Sequence, residues 1–305
     1  MLSNKVLSKW LLVIPAVIVI GLIVLVVDRG VQNNRNQTLT SSQGITVVAS
    51  LDTYGEMAKA VLGKHGQVTS ILNKADLDPH DFEPTASTAK AYQQANVIIS
   101  NGGGYDAWST KFAKTNKTAK DINVASLYNF KDGDNEHYWY KPSIANKLTA
   151  QLVKDYSALL PKYKAQFKQN ARAYLTSLKA LNVKRAEVGA LLKGKTIMAT
   201  EPVFNNALTG YTDVTIADQA FALAVDEGED PTPKAVREWQ TLIDQGKVAV
   251  IINNTQTSGK IVENAIQYAT KHKVPIVGVT ETKPDGKTYA EWQIDQLNEI
   301  EKALR

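Results

Sequence analysis

Residues 163–192 read YKAQFKQNARAYLTSLKALNVKRAEVGALL. Within them Tyr163, Phe167, Tyr174, Leu178, Leu181, Val188 and Leu192 recur at spacings of three, four or seven. That repeat lines up apolar side chains on one face of a helix. Pro161 lies just ahead, where a proline suits the first turn, and Gly194 just beyond, where a glycine suits the end. The spacing predicts one amphipathic helix of about 30 residues, roughly 45 Å long at the α-helical rise. A helix of that length in mid-chain separates the segments on either side and connects them stiffly, so they should not swing freely.

On both sides the pattern alternates between apolar runs and amphipathic stretches. Ile45–Ser50, Gln67–Leu72 and Val97–Ser100 read as buried strands, with helices at Tyr54–Leu62, Thr85–Ala95 and from about Asp106. Beyond Gly194 the strands are Lys195–Thr200, Val248–Asn253 and Val274–Thr280, and the helices Pro233–Gln245, Ser258–Lys271 and Tyr289–Leu304. Strand–helix alternation favours a parallel sheet with helices on its faces. The predicted fold is α/β, with two Rossmann-like lobes of parallel sheet joined by one long rigid helix. The N-terminal lobe covers 44–141, the helical segment 142–193 and the C-terminal lobe 194–305.

The N-terminus has a different character. Leu11–Val27 is 17 residues long without a polar or charged side chain, preceded by Lys5 and Lys9 and followed by Asp28 and Arg29. No small-x-small cleavage site follows it, so residues 1–29 are expected to be an uncleaved membrane anchor with its N-terminus in the cytoplasm. Residues 30–43, GVQNNRNQTLTSSQ, are polar and aperiodic and read as a tether. The remainder is then expected on the extracytoplasmic face of the plasma membrane. The chain of 305 residues has a net charge of only +5 and no basic run, which gives nucleic-acid binding no support. It contains no cysteine, which excludes disulfides, thiolate metal sites, cysteine nucleophiles and lipid attachment through cysteine.

Open α/β sheets bind ligands beyond the carboxyl ends of their strands. Four metal-ligand side chains fall there or in adjoining loops. His80 sits in DPHDFEP between Pro79 and Pro84, and His137 in the polar loop DGDNEHYWYKP. Glu201 and Glu281 directly follow the strands Lys195–Thr200 and Val274–Thr280. They are separated by 57, 64 and 80 residues, spacings that carry no specificity by themselves. Two imidazoles and two carboxylates meeting in the cleft would suit a divalent transition metal. Equally, a loop histidine is commonly a surface residue, and a carboxylate at a strand end often caps the next helix. His65 and His272 follow lysines near helix ends, where positive charge suits the helix dipole, and are assigned no role.

Asp78-Pro79-His80-Asp81-Phe82-Glu83-Pro84 resembles the D-P-H-x-[FY]-E-P motif of the zinc/manganese solute-binding proteins of ABC importers. Asn101-Gly102-Gly103-Gly104-Tyr105-Asp106-Ala107-Trp108 resembles that family's N-G-x-G-x-[ED]-x-W turn. His137-Tyr138-Trp139-Tyr140-Lys141-Pro142 is similar to its second histidine loop, and Glu201 and Glu281 match the places of its third and fourth ligands. The matches keep the family's order over residues 44–305. The resemblance implies two lobes on a rigid helix, a metal site of His80, His137, Glu201 and Glu281 in the cleft, and no catalysis. It implies partnership with an ABC permease and its ATPase subunit, and the chain is expected to be a monomer. Lys141 stands where the family has an acidic residue, Glu281 is one methylene longer than the usual aspartate, and the lipidated cysteine is absent.

Zinc members commonly use three histidines and a histidine-rich loop. This chain has neither, and its harder donor set suits manganese or ferrous iron; manganese is expected in preference to zinc, with zinc or ferrous iron the alternatives. Two other readings remain at this point. A metal hydrolase would need an open coordination position and a base, with Glu83 the evident spare carboxylate. A surface adhesin would suit the tether. No G-x-S-x-G, H-E-x-x-H or phosphate-loop pattern supports catalysis.

Overall fold

The computed structural model describes residue 39, residues 44–74 and residues 82–305. The proposed anchor Leu11–Val27 and His80 itself lie outside the described residues. Among those described, no helix is long and apolar enough to cross a membrane.

The first lobe runs β1 (Ile45–Leu51), α1 (Asp52–Leu62), β2 (Gly66–Leu72), α2 (Ala86–Gln94), β3 (Val97–Ser100), α3 (Ala107–Thr115) and β4 (Lys120–Asn123). Its strands pair in parallel in the order β2-β1-β3-β4. β1, ITVVASL, is buried at all but one position, as expected of a parallel strand covered on both faces. Thr85 starts α2 through a capping box with Thr88, which explains why that helix begins one residue after the predicted limit.

α4 (Ile144–Leu159), α5 (Lys164–Ser177) and α6 (Lys179–Leu192) form the helical middle. The expected single helix over 163–192 is corrected here: it is interrupted at Leu178, whose backbone sits at φ −81°, ψ 3°. Thr176 Oγ1 donates to the Arg172 carbonyl at 2.9 Å and Ser177 Oγ to that of Tyr174 at 2.7 Å. Hydroxyls bonding back onto the preceding turn bend helices. The apolar stripe nevertheless continues across the bend, with Phe167, Leu178, Leu181, Val188 and Leu192 all buried.

The second lobe contains β5 (Thr196–Ala199), β6 (Thr215–Ile216), α7 (Gln219–Asp226), α8 (Pro233–Asp244), β7 (Val248–Asn254), α9 (Lys260–Lys271), β8 (Ile276–Val279) and α10 (Tyr289–Leu304). Its parallel sheet has the order β6-β5-β7-β8, the same topology as the first. The main hydrophobic core is shared: it joins inner residues of both sheets, Trp139, Tyr140 and the stripe of α5 and α6. Smaller cores lie under the outer helices of each lobe.

Direct links also tie the lobes. Lys283 Nζ lies 2.8 Å from Asp52 Oδ2 and 3.8 Å from Glu56 Oε2, with only 9% of its side chain exposed. Glu56 in turn accepts from the first amide of α10, Tyr289 N, at 2.8 Å. Burial is the main influence on the Glu56 carboxyl and raises its pKa.

Candidate metal centre

In each sheet the chain leaves the first strand toward one side and returns on the other, so a crevice opens at the carboxyl ends of the two central strands. In the second lobe those strands are β5 and β7. Ala199 is in register with Ile252, and Thr200 N continues the ladder to the Ile252 carbonyl at 2.9 Å. β8 lies on the other side of β7, with Asn254 in register with Val279. Glu201, Asn254 and Glu281 therefore emerge from three adjacent strand ends.

Asn254 Nδ2 donates to Glu201 Oε2 at 2.5 Å and to Glu281 Oε1 at 2.7 Å, with Thr257 Oγ1 at 2.9 Å. One amide thus gathers both carboxylates, which are each only 5% exposed. Thr257 Oγ1 also donates to Glu201 Oε1. Gln256 Oε1 accepts from the amides of Glu281 and Thr282 at 2.7 and 3.1 Å, fixing the backbone from which Glu281 projects. Glu201 starts the 3₁₀ turn Pro202–Leu208, but its side chain makes no capping bond there. It is therefore turned to the crevice and not spent on the helix end.

The first lobe holds its contribution by a different device. Asp106 accepts from the amides of Asn101 and Gly102 at 2.6 and 2.8 Å, closing the glycine turn after β3. Gly102 adopts φ +75°, and a Cβ there would fall about 2.3 Å from Asn123 Oδ1, so only glycine fits. Burial pushes the Asp106 carboxyl up to about 6, partly offset by those amide bonds. Asn101 Nδ2 then donates to the Glu136 carbonyl at 3.0 Å and holds the loop that carries His137.

That loop is pinned to the second lobe as well. Asn135 Nδ2 donates to the Pro202 carbonyl at 2.7 Å, and Asn206 Nδ2 donates to Asn135 Oδ1 at 2.8 Å. His137 is fully buried, with Trp139 and Tyr105 rings 5.2 and 6.1 Å away. Its Nδ1 is 3.1 Å from Asn135 Oδ1, which can only accept, so Nδ1 carries a proton. Nε2 faces Asp226 Oδ1 at 3.8 Å. Tyr105 connects the two halves, since its hydroxyl donates to Glu281 Oε2 at 3.2 Å. Burial, reinforced by Glu281, raises the Tyr105 pKa well above its ordinary value and keeps it a donor.

The predicted ligands thus separate into a carboxylate pair, Glu201 with Glu281, and an imidazole, His137, beside Asp226. His80 lies outside the described residues. Among the described residues, no group of three or more His, Asp or Glu side chains is placed to hold an ion together. Asn254, Tyr105, Gln256 and Asp226 are absent from the predicted set. Asn254 had one available signal, its place at the end of the apolar run VAVII, equivalent to that of the two glutamates. Lys141 is directed to aromatic rings, 5.5 Å from the Tyr128 centroid and 6.0 Å from that of Tyr138. Glu83 is exposed.

Residues 47–303 match the family model described as ZnuA, zinc-uptake complex component A, periplasmic. The chain belongs to this family. Members are binding components, so the chain is not an enzyme. The zinc-binding lipoprotein AdcA of Streptococcus pneumoniae serotype 4 is 23% identical over 282 residues, 86% of this chain and 55% of that protein. The chain therefore spans about half the length of that relative. The metal ABC transporter substrate-binding lipoprotein SloC of Streptococcus mutans is 26% identical, over 70% of this chain and 73% of its own. The iron ABC transporter lipoprotein MtsA of Streptococcus pyogenes serotype M1 is 24% identical, over 85% and 89%. In fold, the periplasmic zinc-binding protein TroA of Treponema pallidum superposes with a TM-score of 0.71 at 16% identity, over 86% of this chain and 99% of its own. A laminin-binding adhesin of Streptococcus agalactiae does so at 0.70 and 19%, over 86% and 100%, a likeness of fold alone.

The clamp gives a direct test. Asn254→Leu should leave two buried carboxylates without a shared donor and destabilise the apo protein by roughly 2–3 kcal/mol. Urea denaturation measures this. A variant as stable as wild type would show that Asn254 does not hold the pair.

Proposed function

We propose that the chain is the extracytoplasmic substrate-binding component of an ABC importer for a divalent transition metal, with manganese preferred to zinc. The observation that carries this reading is the meeting of Glu201 and Glu281, 80 residues apart in sequence, on the single amide of Asn254. Two buried carboxylates drawn together around one donor make a strongly electronegative point, which a divalent cation would neutralise. Membership in the family supports transport as the purpose of that point. The relatives are named for zinc, iron and metals in general, so the choice of manganese rests on the donors themselves.

In this reading His80, His137, Glu201 and Glu281 are the ligands, one or both carboxylates supplying the hard oxygen donors that suit manganese. The ion is cargo: it enters the crevice, the protein docks on a membrane permease driven by an ATPase subunit, and the ligands part to release it. The interlobe links through Lys283, Glu56 and Asn135 favour a small rearrangement over a wide hinge opening. The relatives are lipoproteins, whereas this chain contains no cysteine to carry a lipid. Leu11–Val27 takes over that role and holds the monomeric protein at the membrane surface.

Competitive titration of the purified protein with manganese and zinc, followed by uptake in cells carrying the cognate importer, tests the proposal. Uptake of manganese lost on deletion of the protein is the expected result. Zinc uptake with manganese ignored would reject the metal assignment, and absence of any divalent binding would reject the function.

A further inference from the structure

Residues 161–195 contain nine lysines and arginines and one acidic residue, Glu187, a net +8 against +5 for the whole chain, so everything outside this segment is net negative. Two of the nine are engaged: Arg185 is buried and donates to Tyr289 OH at 3.1 Å, and Lys184 lies 2.6 Å from Glu301 and 3.3 Å from Glu187. Lys164, Lys168, Arg172, Lys179 and Lys193 are exposed. Lys164, Lys168 and Arg172 are spaced by four along α5, as are Lys179 and Val183 along α6, so each set lies on one side of its helix. The buried stripe of Phe167, Leu181 and Val188 faces the core shared by both lobes, so this basic side is turned to solvent, away from the crevice.

Two further observations are independent of that charge. The first is Val183, 50% exposed and one of two large apolar side chains left exposed among the described residues. An aliphatic side chain between basic ones suits the boundary between lipid and water. The second is the point where the chain enters the fold. Leu39 N donates to the Leu159 carbonyl at 2.8 Å, at the corner that leads through Pro161 into α5. Only residues 28–38 separate Leu39 from the end of the proposed anchor at Val27. A segment of that length reaches about 40 Å when fully extended and roughly 20 Å as a random coil. The basic side is therefore held close to whichever bilayer carries the anchor.

We propose that the outward side of α5 and α6 rests on the anionic lipid headgroups of the membrane that carries the chain, with Lys164, Lys168, Arg172, Lys179 and Lys193 over phosphate and Val183 at the lipid boundary. The inference rests on the reading of Leu11–Val27 as an anchor. This contact turns the crevice away from the bilayer, where an incoming ion has access to it, and docking on the permease has to lift the protein off. Each lysine or arginine at an anionic surface contributes about fivefold to partitioning, an attraction that fades within a Debye length.

The test uses the full chain in vesicles of phosphatidylcholine, with or without phosphatidylglycerol. The chain has no cysteine, so a dye on Val183→Cys or, in a second variant, on Leu223→Cys reports from one place. Leu223 is 49% exposed on the wall of the cavity between the lobes. Energy transfer from the dye at position 183 to a headgroup-labelled lipid is expected to be high with phosphatidylglycerol present and low without it. It should be lost at about 1 M salt, where the Debye length is about 3 Å. The dye at position 223 should not respond to lipid charge. Lys164→Gln, Lys168→Gln, Arg172→Gln and Lys179→Gln combined should abolish the response at position 183, since four such contributions amount to roughly several hundredfold. The melting temperature should stay at that of wild type, because all four side chains are exposed. Equal transfer from both positions, or a response retained in the combined variant, overturns the proposal. Loss of the response to soluble polyglutamate at equal charge assigns the basic side to an acidic polymer and overturns the lipid contact. A chain that does not float with phosphatidylcholine vesicles overturns the anchor reading and the inference with it. A chain that floats but shows no charge-dependent transfer overturns the inference alone.

Discussion

Glu201→Ala is expected to weaken manganese binding on the order of 100-fold or more. Groups outside the coordination shell already contribute 10- to 100-fold to affinity, so loss of a ligating carboxylate should cost at least as much. The stability of the metal-free protein should change in the opposite sense or not at all. Glu201 and Glu281 are both buried and share the Asn254 amide, so their negative charges repel at close range in the absence of an ion. Removing one relieves that repulsion and leaves Asn254 bonded to the other. The combination of lost affinity and retained stability separates a ligand from a structural residue. Glu201→Gln, which keeps the shape and loses the charge, should bind nearly as weakly as Glu201→Ala. Calorimetric titration and thermal denaturation of the two variants provide the readouts. Affinity within about threefold of wild type would show that the Glu201 carboxylate does not touch the ion.

The largest stability effect is expected at Trp139. Its side chain is fully buried in the 3₁₀ turn Tyr138–Tyr140 and contacts Tyr105 at 4.8 Å and His137 at 5.2 Å between ring centroids. Its carbonyl accepts from Tyr289 OH of the C-terminal helix at 2.8 Å. Trp139→Ala should cost about 3–5 kcal/mol, the range for a buried tryptophan replaced by alanine. For a chain of this size that corresponds to a fall in melting temperature of roughly 10 °C. Affinity should fall with it, because Tyr105 and His137 both lose the ring that packs them. Trp139→Phe, which retains most of the contact area, should recover a large part of both losses. A shift below about 1 kcal/mol would show that the turn does not depend on this packing.

The two predictions differ in what made them available. Glu201 and Glu281 are recognisable in the sequence because each follows an apolar run of strand character, and a strand end in an α/β sheet faces the binding crevice. The repeat over 163–192 likewise reports an apolar face, and that face is buried. These signals are local: a strand or helix writes its period into neighbouring residues. Strands without such a period were not predicted. β4, Lys120–Asn123, carries one apolar side chain because it is an edge strand, and β6, Thr215–Ile216, is too short to repeat at all. The bend at Leu178 was hidden for a related reason. A hydroxyl that bonds to the preceding turn leaves the apolar stripe unchanged while altering the helix axis.

Convergence across the chain is a different kind of property. That Glu201 and Glu281 meet follows from β5, β7 and β8 lying side by side, and that they meet on Asn254 follows from the register between β7 and its neighbours. A neutral amide has no charge pattern by which to announce such a role. The placement of His137 against Asp226 depends on Asn135 bridging to Pro202 and Asn206 in the other lobe. By itself, then, the sequence determined the α/β class, the helical middle and the two strand-end carboxylates, because hydrophobic period and strand ends are set within a few residues. Only the tertiary structure decided which donor gathers those carboxylates and what faces the imidazole, because those contacts form between segments that the chain brings together solely by folding.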